Sequence, residues 1–127
     1  NIKNGADWVD EEGRTIPNSR LVRPAAPPRS YAYCSDTKYI PDLHRMLEGV
    51  STLYHESTYL SDDIERANMY FHSTAAQAAQ VAKDAGVGQL LLGHYSAKCE
   101  DENLILDEAL SVFPNSRLSN EGMVIDV

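Results

Sequence analysis

Polar side chains that could do chemistry lie where strands and helices are predicted to end. They are Asp36, Glu56, His72 and His94. His94 is the most informative, because the apolar run 90–92 ends on Gly93-His94 and so presents an imidazole at the C-terminal end of a strand. Open α/β sheets bind their ligands at that edge. The sequence therefore predicts that these side chains share one site.

The residue types suit metal-assisted chemistry. Carboxylate oxygens and neutral imidazole nitrogens are ordinary ligands of zinc and related divalent ions, and one carboxylate can bridge two ions. Two such ions, held roughly 3.5 to 4 Å apart, can activate a water and hold a phosphoryl group. A further histidine that binds no metal can protonate a leaving alkoxide, with a glutamate fixing its tautomer.

Each residue also has an ordinary structural explanation. Asp36 can be a turn residue, His72 can cap a helix, and His94 can be a satisfied interior histidine. Glu56 can be a solvated charge at a strand end, and His55 beside it alternates to the opposite face of the strand. Acid or imidazole groups after three successive strands favour a shared site over separate explanations.

Hydrophobic spacing and turn residues predict one sheet with flanking helices. The predicted strands are 31–34, 50–55, 87–93 and 123–127, and the predicted helices are 41–48, 61–72, 75–85 and 102–113. Thr74 and Gln77 have capping-box spacing, Ser61 can cap the preceding helix, and Pro114 ends the last one. The order β, α, β, α, α, β, α, β is typical of an α/β layer.

Residues 1–28 are rich in proline and glycine, which predicts an irregular arm with one short hairpin at Glu12-Gly13. The remaining residues suffice for a single core. No stretch approaches the roughly 20 apolar residues of a membrane span, so we expect a cytoplasmic protein without a membrane partner. The net charge of −8 argues against nucleic-acid binding by this chain alone.

Four linked motifs resemble the ribonuclease Z family, the transfer-RNA 3′-processing endonucleases of the metallo-β-lactamase superfamily. The motifs are 30–37 (SYAYCSDT), 55–58 (HEST), 72–79 (HSTAAQAA) and 93–97 (GHYSA). They occur in the family's order and spacing, and the resemblance runs from about Leu21 to the C-terminus. It implies a zinc-dependent endoribonuclease that removes the 3′ trailer of precursor transfer RNA.

The resemblance also implies residue roles. Asp36 would bridge two zinc ions and His94 would be a terminal zinc ligand. His72 would be the unligated catalytic histidine, and Glu56 would orient it. Arg29 and Lys98 are weaker candidates for contacts with substrate phosphates, since lysine offers a point charge where the family frequently has arginine.

The family's main metal motif, His-x-His-x-Asp-His, has no counterpart here, because the first histidine of the chain is His44. The resemblance is therefore to the C-terminal half of an αββα sandwich, with 1–28 as the arm or linker and 29–127 as the half-domain. A complete site would hold two zinc ions, and this chain carries only part of it. The basic segment that grips RNA would also lie in the other half.

We accordingly expect the chain to be inactive alone. Half a sandwich would expose a larger apolar face than monomers usually tolerate, which predicts a homodimer. Two alternatives stay open at this stage. One is a non-catalytic interaction module that retains the motifs, and the other is a metallo-β-lactamase-like phosphodiesterase with another substrate.

Overall fold

A four-stranded parallel sheet is the centre of the computed structural model, which describes residues 1–127. The strands are Trp8–Val9 (β1), Thr15–Ile16 (β2), Tyr31–Cys34 (β3), Thr52–Glu56 (β4), Gln89–Gly93 (β5) and Ser116–Leu118 (β6). The helices are Asn18–Leu21 (α1), Leu43–Met46 (α2), Ile64–Tyr70 (α3), Ala75–Ala85 (α4) and Glu102–Leu110 (α5). The sheet order is β3-β4-β5-β6, and every neighbouring pair is parallel. The predicted α/β layer, one sheet with flanking helices, is confirmed.

Helix α4 begins and ends where its sequence predicts. The Thr74 hydroxyl accepts the Gln77 N–H and the Gln77 side chain accepts the Thr74 N–H, which completes a capping box. Gly86 follows the helix in the left-handed conformation, with φ of 61°. Because these signals are local, α4 matches its predicted bounds.

The core lies between the sheet and the small-residue face of α4. The fully buried strand residues Leu53, Leu90 and Leu92 belong to the same cluster as the α4 alanines and Ile105 of α5. Alanines let a helix approach a sheet closely. The segment just before α4, which includes His72, therefore lies against the ends of the strands. Glu108 of α5 supports this position by accepting the backbone N–H groups of Ser61 and Ala76.

The predicted strand at 123–127 is wrong. Val124 is almost fully exposed there, and the fourth strand of the sheet is β6, which pairs with β5. Strand β6 is short and follows Pro114-Asn115, so its sequence lacks the apolar run by which strands are recognised. Pairing with β5 holds β6 in place: the Asn115 carbonyl accepts the Leu90 N–H, and the Leu92 carbonyl accepts the Ser119 N–H.

Other predicted bounds differ at their ends. The helix expected over 61–72 is a 3-10 turn, Ser61–Asp63, followed by α3, and Ser61 makes no side-chain cap. Helix α3 ends before Phe71, which takes a left-handed φ of 60°. The first and last predicted helices, 41–48 and 102–113, are shortened to α2 and α5, since turn residues flank both.

The N-terminal segment forms the predicted hairpin. Strands β1 and β2 pair antiparallel across 10–14, where Asp10 accepts the backbone N–H groups of Glu12 and Arg14 and also pairs with the Arg14 guanidinium. These contacts hold down the pKa of the Asp10 carboxyl. None of the helices in the structure is long and apolar enough to cross a membrane.

The opposite face of the sheet carries tyrosines. Tyr33 is 64% exposed, and its ring stacks on Tyr54 with centroids 4.6 Å apart. Tyr31 is half exposed on the same strand, two residues away, and therefore on the same face. We call Tyr31, Tyr33 and Tyr54 the tyrosine face.

His55 is buried on the core face of β4. Its register partners are Cys34 and Leu92, both of which contact the core. Its Nδ1 lies 2.7 Å from the Glu56 carbonyl oxygen, whereas its Nε2 is buried without a partner. Desolvation lowers the pKa of His55, and the neighbouring Glu56 carbonyl and charge offset only part of that shift. The neutral imidazole is therefore the form that fits the fold.

We expect the free energy of unfolding to fall as the pH drops below about 6.5, the ordinary imidazole pKa. The unfolded chain then binds a proton at His55 that the folded chain resists, with a maximum slope of about 1.4 kcal/mol per pH unit. Urea denaturation at pH 5 to 8 measures this slope. His55→Leu should reduce it and His44→Leu should not; equal slopes in wild type and His55→Leu would contradict the assignment.

Candidate metal and catalytic site

The predicted side chains come together at the C-terminal edge of the sheet. Asp36 follows β3, Glu56 is the last residue of β4, and His94 follows β5. Because these strands are parallel, their carboxyl ends lie side by side. His72 joins them from the short connection between α3 and α4.

Asp36, His72 and His94 can offer ligand atoms to one ion. One such atom from each of the three lies within 4.8 Å of the others. The His94 Nε2 lies 3.2 Å from Asp36 Oδ1, and the rings of His72 and His94 stack with centroids 5.2 Å apart. One carboxylate and two imidazoles suit zinc in donor type, but they are fewer than its usual four ligands. The group therefore fits part of a metal site.

Both proposed metal ligands have backbone conformations that are uncommon outside glycine. Asp36 has φ of 50° and His94 has φ of 57°. Left-handed residues cost about 1 kcal/mol or more, although Asp and His tolerate this region better than most. Just before His94, a Cβ at Gly93 would overlap the tip of the Tyr54 ring, so a larger residue there would force that ring to move. Of the three non-glycine residues with a left-handed backbone, Asp36, Phe71 and His94, two are proposed metal ligands and the third directly precedes His72.

The Glu56 carboxylate is fully buried and accepts four hydrogen bonds. Its Oε1 accepts the Thr37 N–H and the His72 Nδ1–H, both at 2.8 Å. Its Oε2 accepts the Thr58 hydroxyl at 2.6 Å and the Ser73 N–H at 3.0 Å. One side chain therefore joins the loops after β3 and β4 to the start of α4.

The contact with Glu56 settles which nitrogen of His72 is free. A carboxylate can only accept, so Nδ1 carries the hydrogen and Nε2 is left as a proton acceptor. The His72 side chain is 20% exposed, and its ring packs edge-on against Tyr59. This is the arrangement of a general acid or base held by a carboxylate.

The two candidate phosphate contacts are placed differently. Lys98 is exposed beside the site and lines a cleft of about 260 Å³ that also includes Thr58 and Arg66. Arg29 is exposed just before β3, whose other end leads to Asp36. The structure thus brings Lys98 near the site, while Arg29 lies at the opposite end of that strand.

Three residues of the site were given no role by the sequence. Thr37, Thr58 and Ser73 each donate a hydrogen bond to Glu56, and Ser73 also donates its hydroxyl to the Thr37 carbonyl. Two of those bonds come from backbone N–H groups, which any residue type provides. Thr58 alone of the three donates to Glu56 through its side chain, so it is the one contact that residue type could have indicated, by a hydroxyl two residues beyond Glu56.

Glu56→Gln should lower the free energy of unfolding by about 3 kcal/mol, since the amide turns its N–H₂ group toward other donors at a fully buried position. Urea denaturation at pH 7.5 measures the change. Glu11→Gln, at an exposed glutamate, is the control and should stay within about 0.5 kcal/mol of wild type. A Glu56→Gln protein as stable as the control would show that these hydrogen bonds do not hold the loops together.

Curated relatives match the chain over almost its full length. Ribonuclease Z of Bacteroides fragilis is 51% identical over 126 residues, which are 99% of this chain and 41% of that protein. Ribonuclease Z of Bacteroides thetaiotaomicron is also 51% identical, over 99% of this chain and 40% of its own length. The chain thus spans about two fifths of the length of these relatives. No family model matches it.

Solved structures show the same fold. The metallo-β-lactamase fold protein YhfI from Bacillus subtilis superposes with a TM-score of 0.68 and 25% identity, over 74% of this chain and 38% of that one. The short form of human tRNase Z superposes with a TM-score of 0.54 and 24% identity, over 73% of this chain and 30% of that one. The chain therefore has part of a metallo-β-lactamase fold, and its sequence matches the C-terminal part of ribonuclease Z proteins over almost its whole length.

Proposed function

We propose that this chain provides one half of the active site of a zinc-dependent endoribonuclease that removes the 3′ trailer of precursor transfer RNA. The observation that carries the proposal is the convergence of Asp36, His72 and His94 beside a buried carboxylate. The identity to ribonuclease Z proteins supports the substrate class.

Asp36 and His94 are proposed as the metal ligands of this half. Divalent ions held there would supply Lewis acidity for water activation and would offset charge on the phosphate. Two ligands fill about half of the positions that zinc requires, so the remaining ligands have to come from a second segment. The chain by itself is therefore proposed to be inactive.

His72 is proposed as the proton donor. His72 Nε2 would first take up a proton from water, which makes the ring an imidazolium, and would then pass that proton to the leaving alkoxide oxygen as its bond to phosphorus breaks. Glu56 keeps the proton on Nδ1 and stabilises the charged ring before delivery, because its carboxylate lies 2.8 Å away. Lys98 is proposed to attract the substrate phosphates beside the cleft, with Arg29 as a more distant contact.

We expect no hydrolysis of bis(p-nitrophenyl) phosphate by the chain alone with Zn²⁺. Mixed with the part of Bacteroides fragilis ribonuclease Z that the chain does not span, it should cut the trailer from precursor transfer RNA. In that complex His72→Gln should lower the cleavage rate roughly 10² to 10⁴-fold, the usual contribution of a positioned general acid.

His44→Gln is the matched control and should leave cleavage unchanged. His44 lies in α2, bonds to the Pro41 carbonyl and is not part of the Asp36, His72 and His94 group. Turnover by the chain alone would overturn the half-site proposal. A folded complex that binds but does not cleave would favour an interaction module instead, and cleavage of other phosphodiesters but not of precursor transfer RNA would indicate another substrate.

We also propose that the chain forms a homodimer through the tyrosine face. That face is one layer of a fold whose sheets are normally covered, and it exposes the stacked rings of Tyr33 and Tyr54 with Tyr31 on the same strand face. A second copy would cover it by a two-fold related contact. The division into an arm, 1–28, and a half-domain, 29–127, and a cytoplasmic location belong to the same proposal.

Sedimentation velocity should show a dimer at high micromolar concentration, and Tyr33→Asp should shift it to monomer by placing a charge in the contact. Tyr70→Asp is the control, since Tyr70 is similarly exposed but lies at the end of α3. A compact wild-type monomer at that concentration would contradict the dimer.

A further inference from the structure

The Thr58 hydroxyl lies between the buried carboxylate and His94. Its oxygen is 2.6 Å from Glu56 Oε2 and 2.9 Å from His94 Nδ1. Thr58 is 6% exposed, so water does not compete freely for these contacts. Both distances are within the range of good hydrogen bonds.

A count of hydrogens fixes the direction of both bonds. The hydroxyl has one hydrogen, and the Glu56 carboxylate can only accept, so the hydrogen of Thr58 is used on Glu56. The 2.6 Å distance is typical of a hydroxyl that donates to an ionised oxygen. The second contact must then run the other way, with His94 Nδ1–H donating to the Thr58 oxygen.

This direction leaves the lone pair of His94 on Nε2, which is the nitrogen that faces Asp36 Oδ1 at 3.2 Å. Two acceptors at that distance repel unless a cation is shared between them. The hydrogen bond from His94 Nδ1 to Thr58 thus leaves His94 Nε2 and Asp36 Oδ1 ready to bind a cation between them. The opposite tautomer would place a hydrogen on Nε2 and block it as a ligand.

We infer that Thr58 is a positioning residue that extends the effect of Glu56 to His94, so that one buried carboxylate sets the tautomer of both histidines. Glu56 acts on His72 through a direct hydrogen bond, and it acts on His94 through the hydroxyl of Thr58. The inference rests on the proposed metal role of His94, but the tautomer is a property of this chain that can be measured without metal or substrate.

The test uses the 127-residue chain labelled with ¹⁵N at histidine, at pH 8 and without metal. Long-range ¹H–¹⁵N correlations distinguish a protonated Nδ1 from a protonated Nε2 in each ring. In wild type both His72 and His94 should be Nδ1–H. In Thr58→Val, which keeps the shape and removes the hydroxyl, His94 should shift toward Nε2–H while His72 stays Nδ1–H.

Thr58→Ser keeps the hydroxyl and loses only the methyl group, so it should keep the wild-type tautomer of His94, which separates the hydrogen bond from packing. Zn²⁺ titration followed at the same resonances should show affinity about 10 to 100-fold weaker in Thr58→Val than in Thr58→Ser, the usual effect of losing a bond that orients a ligand. Unfolding of Thr58→Val would appear as a collapse of all histidine shifts, and the His94 tautomer of the wild type then carries the test.

An unchanged His94 tautomer in a folded Thr58→Val would overturn the inference, as would an Nε2–H tautomer of His94 in wild type. Failure of the proposed function looks different. The tautomers would follow the hydroxyl as described, but Zn²⁺ would not perturb His94 and the complemented chain would not cleave RNA.

Discussion

The buried carboxylate of Glu56 is the interaction on which the site depends. A charge without exposure has to be matched by donors, and here the donors come from three separate loops. The carboxylate is stabilised only while those loops stay in place, and the loops are held in place by the carboxylate. The loops and the buried carboxylate therefore stabilise one another in the folded chain.

The position of the site follows from the parallel sheet. Strands that run in one direction bring their ends to one edge, and the chain leaves that edge through left-handed residues at Asp36 and His94. A carboxylate and an imidazole meet at that edge, where His94 Nε2 lies 3.2 Å from Asp36 Oδ1. The metal-ligand types, the strand ends and the strained backbone agree on one location, although each has an ordinary explanation when taken alone.

Much of this was predictable, and the limits have physical reasons. The capping box of α4 and the apolar runs of β4 and β5 are encoded locally, so pattern and propensity locate them. Strand β6 was missed because three residues with one apolar side chain owe their conformation to a neighbouring strand, while 123–127 has a strand-like composition but pairs with no strand of the structure. The grouping of Asp36, His72 and His94 was predictable from strand ends and family motifs, whereas backbone donors to Glu56 leave no trace in residue type.

The contact between Tyr54 and Gly93 ties the surface of the sheet to the site. Tyr54 stacks in the tyrosine face and at the same time fills the space where a side chain on residue 93 would be. A partner that covered the tyrosine face would therefore contact the ring of Tyr54, which lies against Gly93, the residue before His94. In the proposed assembly, contact at the tyrosine face would therefore be transmitted through Tyr54 to the residue that precedes His94.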